Sequence, residues 1–267
     1  MTVRIPLTLV LIVVIGGVAM LALVYGGSST SKTVHGSGVL ATQTRTVSGF
    51  TSLDLAGSNI VIVRVGGRQS IVVRGDDNLL DRITTKAVDG RLVIGTRGSF
   101  TTKAPMRVDL TVPSLKSLTL SGSGIIDARG LDAPSLVATL AGSGVLRVSG
   151  AVTRLSVALA GSGDVQLAQL VAHDVHAVVA GSGRVLVTAT DSLDAAVRGV
   201  GAIVYGGNPA HVTTSVSGTG CSGSSALNAL GSSGMLISTS DSRSVRSADA
   251  RPWVSARRRI VAGRPDA

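Results

Sequence analysis

The sequence predicts an all-β fold, a solenoid of stacked coils, and three observations predict it. Gly-x-Gly recurs six times, with the first Gly at Gly122, Gly142, Gly161, Gly181, Gly199 and Gly218, in steps of 20, 19, 20, 18 and 19 residues. A nearly constant period of this length is too short for a helix pair and suits one coil of a solenoid. Apolar residues keep fixed, even offsets from each glycine, as period-two strands require. The composition lacks charged helix formers: all 15 acidic residues are Asp, and four Lys stand against 21 Arg.

The offsets define the coil. Four and two residues before the first Gly lie Leu118/Leu120, Ala138/Leu140, Val157/Leu159, Ala177/Val179, Ala195/Val197 and Thr214/Val216. Four and six residues after it lie Ile126/Ala128, Leu146/Val148, Val165/Leu167, Val185/Val187 and Ile203/Tyr205. One face therefore points inward through a strand, a glycine corner and a second strand, giving coils of about 19–20 residues with two short strands each. The turn glycines Gly122, Gly124, Gly142, Gly144, Gly161, Gly163, Gly181 and Gly183 are assigned a structural role: they admit positive φ and close approach of successive coils. Phosphate cradling is the competing role for such a loop, but each Gly-x-Gly joins strand to strand with no helix N-terminus behind it. In the outward columns Asp127 with Arg147, and Asp164 with Arg184, become neighbours about 4.8 Å apart on adjacent coils, pairs worth about 0–1 kcal/mol each.

The segments before the regular coils differ in kind. Residues 5–25 carry no charge and are long enough for one N-terminal transmembrane helix. The stretch exceeds the usual apolar core of a cleaved signal and offers only the poor cleavage site Val24-Tyr25-Gly26. An uncleaved signal anchor is the expectation and a cleaved, secreted form the alternative; either places the repeats outside the cytoplasm. Residues 26–35 read as a flexible spacer. A domain over 36–225 follows, with regular coils at about 116–220. Leu53, Leu55, Val61 and Val63 bracket Gly57-Ser58-Asn59 as a degenerate earlier coil. Between 66 and 113 the period lapses into a less regular cap, with strands near Ile71-Val73, Leu92-Ile94 and Val108-Leu110-Val112 and a helical turn from Asp77 to Ile83. Ser222 and Ser224 take the inward positions of the last unit, as suits an atypical terminal repeat. Residues 226–267 read as a disordered Ser/Arg-rich tail.

No residues present themselves as catalytic, cofactor-binding or metal-binding. His173-Asp174-Val175-His176 places Asp174 and His176 outward and Val175 inward, while His35 and His211 are remote in sequence, so three convergent metal ligands are lacking. Cys221 is the single cysteine. The net charge of +10 divides into +4 over 36–225, +4 over 226–267 and +2 before them. With basic residues scattered along the chain and few aromatics beside them, nucleic acid is not an expected partner.

The run Leu120-Ser121-Gly122-Ser123-Gly124, the Ala-Gly-Ser-Gly units at Ala141, Ala160 and Ala180, and the upstream Val47-Ser48-Gly49-Phe50 and Gly75-Asp76-Asp77-Asn78-Leu79-Leu80 together resemble the family called putative auto-transporter adhesin, head GIN domain. Gly199-Val200-Gly201, Gly218-Thr219-Gly220 and the Arg-rich end depart from it. The resemblance implies a right-handed β-solenoid on an exported or membrane-anchored bacterial protein, with adhesion as its role and no catalytic residues to carry over. The expected function is a non-enzymatic, surface-displayed scaffold that binds a protein or an envelope polymer. The alternative is a carbohydrate-active enzyme on a β-helix, which the scarcity of aromatics and of convergent carboxylates disfavours.

Overall fold

The computed structural model describes residues 33–218 and the strand Gly234–Ser238. In chain order the strands are β1 (Val34–His35), β2 (Leu40–Arg45), β3 (Ser52–Ala56), β4 (Ile60–Val65) and β5 (Ser70–Asp76), then a 3₁₀ helix (Asp77–Arg82). There follow β6 (Ile83–Val88), β7 (Arg91–Thr96), β8 (Phe100–Thr101), β9 (Arg107–Val112), β10 (Ser117–Gly122) and β11 (Ile125–Gly142). The last are β12 (Val145–Gly161), β13 (Asp164–Gly181), β14 (Arg184–Gly199), β15 (Ala202–Gly207), β16 (His211–Ser217) and β17 (Gly234–Ser238). They build a β-solenoid of about five turns.

Parallel ladders in column register hold the turns together. Leu120 pairs with Leu140, Leu140 with Leu159, Leu159 with Val179 and Val179 with Val197. On the other side of the corner Ile126 pairs with Leu146, then Val165, Val185 and Ile203. These columns are buried and form one aliphatic core along the axis. Like side chains stacked at strand spacing fill these columns, and Phe50 adds a buried aromatic to the same core.

The coil has three sides where the sequence pattern shows two. Each of β11, β12 and β13 runs from one glycine corner to the next, and register shifts at Ala128/Leu131, Arg147/Gly150 and Leu167/Val171 bend the chain into a short third side. Leu131, Val152, Leu170, Ala172 and Ala189 bury that side against the core. The shifts also absorb the differences in coil length. A bulge takes up an extra residue at the cost of one local ladder bond.

The Gly57 unit is a full coil. β3 pairs with β10 and β4 with β11, so Leu53 and Leu55 lie under Leu118 and Leu120. The chain then leaves the stack and builds a further layer on the opposite side, with β7 parallel to β3 and β9 parallel to β4, and returns through β10. Antiparallel β6 on β7, β5 on β9 and β2 on β5 finish this end. Thus the irregular stretch 66–113 is a closed cap with buried Ile71, Val73, Leu79, Ile83, Leu92 and Ile94. Antiparallel strands end a parallel stack because they turn its open edge into paired backbone.

Two boundaries depart from expectation. Val34–His35, at the end of the segment read as a spacer, already pairs with β8. Within 226–267, read as disordered, Gly234–Ser238 forms a strand antiparallel to β15; Met235-Leu236-Ile237 is a short apolar run that competes for a free sheet edge. No helix among the described residues is long and apolar enough to cross a membrane. The stretch 5–25, Cys221, Ser222, Ser224 and the Arg-rich end lie outside the described residues.

Candidate functional site

Each glycine of a corner does a different job. Gly142 sits at φ 136° and its neighbours in the column, Gly122, Gly161 and Gly181, at 128°, 129° and 135°, where an L side chain is strained. Gly144 lacks that φ, but a Cβ there would come within 2.5 Å of the Gly124 carbonyl oxygen and 2.7 Å of Leu120 Cδ2. Gly124, Gly163 and Gly183 are confined in the same way. The corner N–H groups are spent on the stack: Ser143 and Gly144 both donate to the Gly122 carbonyl, at 3.1 and 3.0 Å, and Ser162 and Gly163 repeat this onto Gly142. An anion-binding nest needs such donors free.

The signature around Gly75 clamps the N-terminal strand. Asp76 is fully buried. It accepts from the Thr102 hydroxyl at 2.6 Å and from the backbone N–H groups of Gly38 at 2.8 Å and Lys103 at 3.0 Å. The Thr102 bond, followed by those backbone donors, holds its carboxyl below the ordinary Asp range against the opposing effect of burial. Asp77 accepts from the Ser37 hydroxyl, and Asn78 takes the Ser37 N–H while donating to the His35 carbonyl. Arg45 donates to the Leu80 carbonyl at 2.7 Å and to the Ile83 carbonyl, tying β2 to the 3₁₀ helix. Gly36-Ser37-Gly38 is therefore a tied strap and not a corner of the stack. A sequence repeat could not reveal these partners, which lie 26 to 43 residues apart.

The outward pairs keep their register but not their bonds. Asp127 does lie beside Arg147, and Asp164 beside Arg184. Asp127 nonetheless binds Arg129 two residues along its own strand, at 2.6 and 3.1 Å. Arg147 donates to Gln166 at 2.8 Å, and Gln166 to Asp164 at 2.6 Å. Residues i and i+2 share a face of a strand, and a long guanidinium folds along it to make a two-point contact. The Arg129 hydrogen bond, supplemented by the charges of Arg129, Arg147 and Arg107, keeps Asp127 below the usual carboxylate range.

Two shallow grooves follow the axis. One, of about 550 Å³, is lined by Asp127, Arg129, Arg147, Ser149, Gln166 and Gln169 among others. The other, of about 340 Å³, runs beside Arg154, Ser156, Asp174, His176 and Asp194. Here the structure brings together groups that the sequence leaves apart. His173 meets Asp191, and His176 meets Asp194, each at 3.1 Å across adjacent coils. The Asp191 carboxyl is lowered by the His173 hydrogen bond and by that from Thr190. Ser156, His176 and Asp194 follow one another in register, an order with the residue types of a nucleophile, base and orienting acid. The backbone N–H groups around them belong to the parallel ladder, so no donors are set out for an oxyanion. Among the described residues no group of three or more His, Cys or Asp could hold a metal ion.

Stacked coils, glycine corners and a clamped antiparallel cap define a repeat protein of the β-solenoid class. The chain belongs to the family putative auto-transporter adhesin, head GIN domain, whose model matches residues 49–209. A solved structure shares the fold. A putative adhesin from Bacteroides fragilis aligns with TM-score 0.60 at 24% identity, over 70% of this chain and 97% of that one. Two structures from Parabacteroides distasonis, a putative adhesin and a putative lipid binding protein, each align with TM-score 0.47 over 71% of this chain and 98% of theirs, at 21% and 22% identity. No curated protein matches the sequence.

Proposed function

We propose that the protein is a non-enzymatic binding scaffold, held at the cell membrane by its N-terminal segment with the solenoid outside the cytoplasm. The observation that carries this reading is the use of the outward carboxylates: Asp54, Asp109, Asp127, Asp191 and Asp194 are each engaged by an Arg or His neighbour. Carboxylates occupied in this way serve ladder contacts and are not left free to act on a bound substrate. Long, regular outward faces remain, the surface by which solenoids engage extended partners. Adhesion is the role that the family's description suggests for them. Anchoring rests on the uncharged stretch 5–25, which suits an uncleaved signal anchor. We read the coils as right-handed, the hand that the resemblance to the family implies.

Protease treatment of intact spheroplasts tests the topology. The solenoid should be accessible from outside and the chain should remain with the membrane. Protection of the solenoid until lysis would reverse the orientation. Retention of the full-length chain by purified envelope fragments tests the binding role, and absence of retention by every fraction would contradict it.

A further inference from the structure

Arginines that are scattered along the sequence converge on one side of the solenoid. Outward positions of β4, β5, β9, β11, β12 and β14 carry Arg64, Arg74, Arg107, Arg129, Arg147 and Arg184 against three carboxylates, Asp109, Asp127 and Asp164. Arg64 is stacked directly on Arg129 in the ladder between β4 and β11. Like charges opposed at strand spacing repel. The carboxylate nearest this pair, Asp127, is already held by two hydrogen bonds from Arg129. Arg64 is exposed and makes no ion pair among the described residues. The groove of about 550 Å³ continues from this point along the axis past Arg147, Ser149, Gln166 and Gln169.

We propose that this arginine-edged groove binds a linear, carboxylate-bearing polysaccharide laid along the solenoid axis. The inference rests on the scaffold reading above and names the partner's chemistry. Bridging of Arg64 and Arg129 by a carboxylate relieves their repulsion, and the planar guanidinium matches a carboxylate with two parallel hydrogen bonds. The rest of the lining selects a sugar over other polyanions. Gln166, Gln169 and Ser149 offer amide and hydroxyl groups for sugar hydroxyls. Ala168 and Leu186, which also line the groove, give apolar contact for the C–H faces of sugar rings. A polyphosphate or nucleic acid would bring more charge and fewer hydroxyls than these groups can use.

The test titrates the full-length chain, purified in neutral detergent, with fluorescently labelled oligogalacturonate. A neutral glucan and an inorganic polyphosphate of similar length are compared in parallel. Binding of the oligouronate is expected, weakening as salt screens the charges, with weaker binding of both comparison polymers. Arg64→Glu, which disturbs no ion pair among the described residues, should weaken it about tenfold through loss of one charged contact and added repulsion. The triple variant Arg64→Gln, Arg129→Gln, Arg147→Gln should weaken it further, and its melting curve establishes that it folds. Arg154→Gln, beside the other groove, should change affinity less than about twofold. Failure of oligouronate to bind, indifference to Arg64→Glu, equal loss with Arg154→Gln, or equal binding of glucan or polyphosphate would overturn the proposal. Retention by envelope fragments without oligouronate binding would sink this inference and leave the scaffold reading standing.

Discussion

Single residues set the tolerance of the stack. In the corner column a side chain must adopt a disfavoured φ at Gly142 and displace backbone at Gly144. Gly142→Ala and Gly144→Ala should each destabilise the protein by about 1–3 kcal/mol, the scale of backbone strain and overpacking. Ser143→Ala between them is exposed and should melt near wild type; equal melting of all three would refute the division of roles. An unpaired charge in the core is worse: Leu159, 1% exposed, should not tolerate Asp, whereas exposed Gln169 should. Asp76 carries the pH dependence of the cap. Its folded pKa lies below the unfolded value, so it stabilises the fold above the ordinary Asp range, near about 3.9. That contribution disappears as pH falls through the depressed folded value. Asp76→Asn should therefore lower the melting temperature at pH 7, and the gap to wild type should narrow in acid. A gap that is constant or widens in acid would show that the carboxylate charge is not what holds the strap.

Elements differ in how much support they receive, which predicts an order of opening. β12 and β13 have neighbours on both sides. β16 pairs only with β14 among the described residues, and Val216 on it is 39% exposed although its column is buried in earlier coils. Amide exchange should be slowest in β12 and β13 and markedly faster in β16, since local opening follows local burial. Uniform protection would mean a single cooperative unit. The sequence makes the coils legible because glycine corners and even offsets are local: Leu120, Leu140, Leu159 and Val179 can be placed in one buried column by counting. The third side is hidden because the register shifts fall there: Val152, Ala172 and Ala189 share one ladder column but stand 10, 11 and 8 residues after Gly142, Gly161 and Gly181. The clamp around Asp76 and the His–Asp contacts are hidden for another reason. The partners in the clamp are set by the path of the chain through the cap, which leaves no period; the His–Asp pairs stand one coil step of 18 residues apart, but which side chains bond across that step is decided on the surface. Arg64 and Arg129 are 65 positions apart in the chain and adjacent in the sheet, which is why the charge looks scattered until the fold is known.

At the scale of the whole molecule, the solenoid turns a small set of outward positions into long ridges, and the two open grooves beside them suit contact along a polymer. A glycosidase would need two carboxylates placed on either side of one bond, one of them protonated. Asp127 is instead held ionised by Arg129, and Asp164 is hydrogen-bonded to Gln166. Asp127→Asn with Asp164→Asn should accordingly fold and retain its partner, losing about 1 kcal/mol or less per surface contact. The deciding measurement follows both capture and chain length when the full-length protein is incubated with a panel of envelope polysaccharides. Retention of an acidic polysaccharide with no change in its length distribution is the predicted result. Shortening of the polymer that vanishes in the double variant, while that variant's melting curve stays unchanged, would contradict the scaffold and establish an enzyme.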